Sequence, residues 1–210
     1  MDRRTAYLRS HIRYDVPLLQ ELERSCSVRD DVQPMVEPEV GALLAYLVRS
    51  SGASEVLELG TGIGYSALWF AGALREHGGR ITTIDRDPRI GAEARWNFRQ
   101  SGFGDCITLI EGDIEQTLKD LRGQSRLFDL IFQDGGKHLY PAVYEDVYAL
   151  LAPGGILVSD DVLFPVESGI RQGLKRPVDA YNSRLLADRR YESVMLPAGH
   201  GVTVSWKRRI

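Results

Sequence analysis

The sequence predicts an α/β fold: one doubly wound, mostly parallel sheet with helices on both faces and an antiparallel last strand. Three observations point to it. Four short apolar runs each end on a carboxylate: ITTID at Asp85, ITLIEGD at Asp113, LFDLIFQD at Asp134 and ILVSDD at Asp160–Asp161. Runs so rich in Ile, Leu, Val and Phe read as parallel strands buried on both faces. After residue 54 such runs alternate with helical patterns at about 25-residue spacing, the length of a βα unit. A fifth run, EVLELG at 55–60, opens the series and leads into a glycine-rich turn. Acids in register line one sheet edge with negative charge, and that edge is where open α/β sheets bind ligands.

The totals limit the classes. A chain of 210 residues suits a single domain, with an N-terminal helical cap over 1–52 and the α/β core over 53–210. The formal charge of −3 leaves no broad basic field for nucleic acid, and Lys207–Arg208–Arg209 read as a solvated end. Cys26 and Cys106 have no metal spacing; they suit a reducing compartment and are each expected to be buried. Arg3, Arg4, Arg9 and Arg13 stud the start, with no apolar signal region and no spanning segment, so a cytoplasmic protein is expected.

In chain order, a short helix near 16–26 precedes one that starts at Pro38. The stripe Val40, Leu43, Leu44, Leu47 and Val48 on the second is expected to cover the sheet edge. A helix over 64–77 follows the glycine turn, and Asp87–Pro88 supply an N-cap and first-turn proline for another near 88–101. Val143, Val147, Leu150 and Leu151 share a helical face that Pro153–Gly154–Gly155 stop before a strand at 156–159. A helix near 178–189 leads into YESVMLP at 191–197 and GVTVSW at 201–206, a hairpin. With strand 191–196 parallel to the earlier ones, the 197–201 loop and His200 overhang the acid-lined edge. Trp69, Trp96 and Trp206 are expected to pack in the core.

The turn Glu58-Leu-Gly60-Thr61-Gly62-Ile-Gly64-Tyr-Ser66 follows a strand and opens a helix. Its glycines let the backbone approach a ligand, and the helix start offers unpaired N–H groups to an anion. Asp85, at the next strand end, is placed for ribose hydroxyls. The GxGxG spacing argues against a pyrophosphate and toward a ligand with one carboxylate and one ribose. S-adenosylmethionine fits: carboxylate to Ser66 and the turn, ribose to Asp85, adenine to the Asp113–Ile114 corner. The plain alternative makes Glu58 and Asp113 strand-end caps.

The stretches VLELGTGIGYSAL, FDLIFQDGGKHLYPAVYEDVYALLAPGGILVSDDVLF and YESVMLPAGHGVTVSWK carry a resemblance. From about residue 30 to 207 the chain resembles the cation-dependent O-methyltransferases, which include catechol and caffeoyl-coenzyme A O-methyltransferases and small bacterial relatives. The resemblance implies a Rossmann-like seven-stranded class I methyltransferase sheet, S-adenosylmethionine as donor and a divalent cation, usually magnesium. It also implies a small hydroxylated aromatic acceptor and a homodimer. By position, Asp134 and Asp160 match metal ligands, and Lys137 the lysine that takes the hydroxyl proton. Glu58, Gly60, Thr61, Gly62, Ser66 and Asp85 match the donor-binding set, with Val36 as a backbone contact and Asp134 also bordering the donor. Oxygen ligands suit magnesium rather than zinc.

Three departures set the chain apart from the family pattern. Asp161 stands where the family has Asn as third ligand, Gly135–Gly136 replace side chains of a pocket wall, and Leu139 replaces an Asn. Tyr140 and Phe164 are candidates to line the acceptor pocket; His138 reads as a solvated or capping residue. Other readings change the acceptor to a hydroxylated uridine in tRNA, with Arg171, Lys175 and Arg176 as a basic patch, or replace the reaction by a nicotinamide-dependent dehydrogenation. A donor-binding module without catalysis is the remaining alternative.

Overall fold

The computed structural model describes residues 3–209. In chain order the elements are α1 (Arg3–Arg9), α2 (Leu18–Cys26), α3 (Pro38–Ser51), β1 (Glu55–Leu59), α4 (Tyr65–Leu74), β2 (Arg80–Asp85), α5 (Pro88–Ser101), β3 (Ile107–Glu111) and α6 (Ile114–Gly123). Then follow β4 (Phe128–Gln133), α7 (Leu139–Ala142), α8 (Tyr144–Leu150), β5 (Leu151–Ser159), α9 (Gln172–Ala187), β6 (Tyr191–Leu196) and β7 (Val202–Lys207). The strands form one seven-stranded sheet in the order β3-β2-β1-β4-β5-β7-β6. β1 to β5 pair in parallel, and β7 runs antiparallel to both β5 and β6. The hairpin and the mostly parallel sheet are as expected, and no described helix is long and apolar enough to cross a membrane.

Strand alternation divides the core into two layers. Val56, Leu130, Phe132 and Val158 face α2 to α5, while Leu57, Ile131 and Leu157 face α6 to α9. Strand order reverses between β1 and β4, so a crevice opens at their carboxyl ends. Local signals set the helix bounds around it. Asp87 caps α5 by accepting from Arg89 N at 2.9 Å and Ile90 N at 3.3 Å, and Gly102 ends the helix at φ 74°. Pro38 opens α3, and Gly52 closes it at φ 70°.

Several expectations are corrected. The α3 stripe packs with α4 and the first core layer instead of covering a sheet edge: Val40, Leu44, Leu47 and Val48 are buried within the chain. Leu151 belongs to β5, where it pairs with Phe128; Pro153–Gly155 make an irregular stretch inside the strand rather than a stop before it. Helix α9 begins at Gln172 and carries Pro177 within it. Trp69 is buried, but Trp96 and Trp206 are 52% and 40% exposed, and both cysteines are only half-buried. Lys207 is no solvated tail: its ammonium donates to Tyr148 O at 2.7 Å and Leu151 O at 2.6 Å.

Candidate active site

One half of the candidate site grows from the β1–α4 turn. Gly60 follows β1 with φ 103°, and a Cβ there would lie 2.9 Å from Asp134 O. Only glycine lets the two strand ends approach so closely. Asp85 braces the turn, with Oδ2 accepting from Thr61 N at 3.1 Å and Gly62 N at 2.9 Å, and Oδ1 from Asp87 N at 3.1 Å. A Cβ on Gly62 would meet nothing within 4 Å, so that side of the turn is open. Ser66 lies buried in the first turn of α4, and Val36 is buried with α3 in the first core layer.

Beneath the turn, Glu58 is fully buried. Its Oε2 accepts from Thr83 Oγ1 at 2.5 Å, and Thr83 Oγ1 lies 2.6 Å from Thr61 Oγ1. Oε1 has no partner in the protein. Burial pushes the Glu58 carboxyl up to about 8; the Ser66 and Thr83 hydroxyls pull it back, and Asp134 and Asp85 add to the rise. An unpaired buried carboxyl oxygen under an open glycine turn fits a ligand that brings its own cation. The α-ammonium of S-adenosylmethionine is such a group. Asp113 does act as a cap, its Oδ1 accepting from Gln116 N at 3.1 Å at the start of α6. Ile114 overlies Gly135: a Cβ there would come within 2.9 Å of Ile114 Cδ1. Gly135 thus makes room for Ile114 instead of leaving a wall missing, whereas a Cβ on Gly136 would meet only the His138 ring.

A second cluster gathers at the ends of β4 and β5. Lys137 Nζ lies 2.9 Å from Asp134 Oδ1 and 2.7 Å from Asp161 Oδ2. Asp160, 2% exposed, turns Oδ1 to Asp161 N at 2.9 Å. Asp161 adopts φ 60°, a left-handed conformation that Asn and Asp tolerate best among side-chain-bearing residues. Burial raises Asp134, and raises Asp160 strongly, each helped by the neighbouring acids. Burial opposes charge on Lys137, but Asp134, Tyr140 and Asp161 outweigh it and hold the amine well above its ordinary range. Lys137 therefore stands here as an ammonium.

The expected convergence of Asp134, Asp160 and Asp161 on one cation takes a different form. Asp134 and Asp161 converge on Lys137, and among the described residues no group of three or more His, Cys, Asp or Glu side chains is arranged to hold a metal. The donor chemistry nevertheless suits a hard divalent ion: three carboxyl groups, all oxygen donors, share one buried corner with one ammonium. Tyr140 is not a pocket wall. It is fully buried, its hydroxyl lying 3.0 Å from Lys137 Nζ, 2.8 Å from Gln133 O and 3.0 Å from Asp160 O. This strut escaped the sequence reading: Lys137 lies in the turn before α7 and Tyr140 in its first turn, and the three-residue spacing alone did not mark their contact. Gln133 was missed too: it is 2% exposed with both amide atoms unpartnered.

Comparison with known proteins bears on the family and the fold. A profile of the O-methyltransferase family matches residues 9–208. A protein of Mycobacterium sp. strain JLS that bears an O-methyltransferase name is 36% identical over 174 residues, covering 81% of this chain and 78% of its own. One of Mycobacterium tuberculosis strain H37Rv with a name of the same kind is 33% identical over 201 residues, covering 94% and 87%. An S-adenosylhomocysteine-bound methyltransferase of Podospora anserina superposes with a TM-score of 0.87 at 29% identity, over 98% of this chain and 94% of that one. A caffeoyl-CoA O-methyltransferase candidate of Staphylococcus aureus gives 0.87 at 26%, over 98% and 100%. By sequence and by fold, the chain belongs to the O-methyltransferase family, whose methyl donor is S-adenosylmethionine.

Proposed function

We propose that this enzyme methylates a hydroxyl of a small catechol-like or otherwise hydroxylated aromatic acceptor, with a divalent cation held by Asp134, Asp160 and Asp161. The carrying observation is the buried corner in which Asp134, Asp161 and Lys137 meet beside the glycine turn. When bound, S-adenosylmethionine supplies a sulfonium-activated methyl group, and a divalent cation supplies charge that stabilises an oxyanion and fixes its direction. A phenol, with a pKa of about 10, needs that help at neutral pH.

The protein's own residues do the rest. Glu58, Asp85, Ser66 and the turn at Gly60–Gly62 hold the donor's polar end and ribose; Asp113 and Ile114 border its adenine. Tyr140 fixes Lys137 at the floor of the acceptor corner. As an ammonium, Lys137 stabilises negative charge on the acceptor oxygen; it can take the hydroxyl proton only once Asp134 and Asp161 have turned to another cation. Asp161 brings a full charge where an amide would bring none. It strengthens cation binding and repels an acceptor oxyanion by about 4 kcal/mol at about 4 Å and an effective dielectric near 20.

Methyl transfer from S-adenosylmethionine to a panel of catechol, caffeate and hydroxylated tRNA tests this. Asp134→Asn should abolish transfer to the small acceptors while donor-product binding persists. Transfer to tRNA alone would move the acceptor class, and full activity of Asp134→Asn would remove the corner from the mechanism.

A further inference from the structure

One arrangement on the same sheet edge is left unused by these roles. His200, in the turn between β6 and β7, faces a carboxylate at each ring nitrogen: Nδ1 lies 2.7 Å from Glu167 Oε2, and Nε2 lies 3.4 Å from Glu37 Oε1. The three residues belong to three segments. Glu37 follows Val36 and precedes α3, Glu167 lies in the loop after β5, and His200 sits in the hairpin turn. The His200 ring meets Phe164 edge-on with centroids 5.6 Å apart, and Lys137 Nζ lies 5.8 Å from that same Phe164 ring. Backbone bonds join the turn to the loop, from Val162 N to Gly201 O at 3.0 Å and from Leu163 N to His200 O at 2.9 Å. The seat is tight, because a Cβ on Gly199 would strike the Glu37 carboxylate and one on Gly201 the Leu163 side chain.

We propose that His200 is a positioning residue for the acceptor side: by bridging Glu37 and Glu167 it clamps the Phe164 loop over Lys137 and fastens it to the segment that carries Val36. The contacts favour the charged ring, with a hydrogen bond to Glu167 and Glu37 within ion-pair distance. A neutral imidazole has one N–H and one acceptor nitrogen, so it could satisfy one carboxylate and would face the other lone pair to lone pair. An imidazolium donates to Glu167 and pairs by charge with Glu37 at 3.4 Å. The surrounding charges favour it: Glu167 and Glu37 in contact, Asp161 nearby, Glu39 beside Glu37, with Lys137 beyond Phe164 and Lys175 donating to Glu167 O. Burial opposes charge on His200, but Glu167, Glu37 and Asp161 outweigh it and raise its pKa. The bridge is therefore complete below the ordinary histidine range of about 6.5 and opens as pH rises through the raised value.

The clamp itself does not depend on the acceptor assignment; only the kinetic arm of its test rests on the proposed function. Hydrogen exchange on the full chain with S-adenosylhomocysteine reads the clamp directly, at the Val162 and Leu163 amides and at about pH 6 and about pH 9, corrected for intrinsic rates. Wild type should lose roughly fivefold protection at the higher pH, and His200→Ala should show the low value at both. His200→Gln, which restores a hydrogen bond without charge, should be intermediate and independent of pH. In the kinetic arm, His200→Ala should raise the KM for catechol by about fivefold with kcat and donor KM little changed. Wild-type protection in His200→Ala, or wild-type pH dependence in His200→Gln, would overturn the proposal, as would a fall in kcat at constant KM. If wild type leaves catechol unmethylated, the acceptor assignment fails and exchange alone decides on the clamp.

Discussion

Glu58 should release a proton when the donor product binds, and Glu58→Gln should abolish that release. In the free protein Oε1 has no partner, and burial lifts the carboxyl from 4.5 to about 8. That displacement, of the order of 5 kcal/mol, disfavours the ionised form at neutral pH. A folded-state value above the unfolded one contributes stability that is complete below about 4.5 and disappears as pH rises through about 8. Near pH 7 roughly nine sites in ten are therefore protonated before binding. Pairing with the α-ammonium of S-adenosylhomocysteine favours the carboxylate, so binding should expel roughly 0.9 proton per site near pH 7 and almost none near pH 9. Calorimetric titration in two buffers of different ionisation enthalpy reads this number. The Gln variant should release none and bind more weakly, while its ligand-free form loses less stability than wild type between about pH 5 and pH 8. Equal release from both proteins, or none from wild type, would refute the assignment of Glu58 to the donor's ammonium.

Gly60→Ala should eliminate donor-product binding in the same titration. At φ 103° with Asp134 O 2.9 Å from the new Cβ, the turn must shift, at a cost of about 1–3 kcal/mol before any ligand is considered. Tyr140→Phe removes the hydroxyl that joins Lys137 to Gln133 O and Asp160 O, so chemical denaturation should show a loss of about 1–3 kcal/mol and kcat should fall more than donor affinity. Lys207→Met strips two carbonyls of their donor far from the site; a similar loss of stability with kcat unchanged is expected.

What the sequence made legible was the skeleton of the sheet and its edge. Parallel strands buried on both faces write themselves as unbroken apolar runs, so the ends at Asp85 and Asp134 fell within a residue of the strand termini. Caps were equally direct: Asp87–Pro88 and Pro38 marked α5 and α3 where they begin. Elements with conflicting signals were lost. Pro153–Gly155 read as a break because their pairing inside β5 is a tertiary matter, and the helix expected near 178–189 starts earlier, at Gln172, with Pro177 inside it. Burial of single residues was least legible. Trp96 and Trp206 are exposed because their positions on α5 and β7, not their size, decide their surroundings, and Lys207 is buried because two free carbonyls can accept from it. That Asp134, Lys137, Asp160 and Asp161 lie near one another followed from strand-end position; the partnerships among them did not. Sequence placed Asp134, Lys137, Asp160 and Asp161 together, but only coordinates show the lysine between two of the acids.

The most direct test of the central claim is the rate of methyl transfer from S-adenosylmethionine to catechol with magnesium, with a chelator, and with magnesium restored. The rate should fall at least about a hundredfold on chelation and recover fully on restoration, with donor-product affinity unaffected throughout. An undiminished rate in chelator would show that Lys137 and the three carboxylates work without a divalent ion, and would contradict that claim.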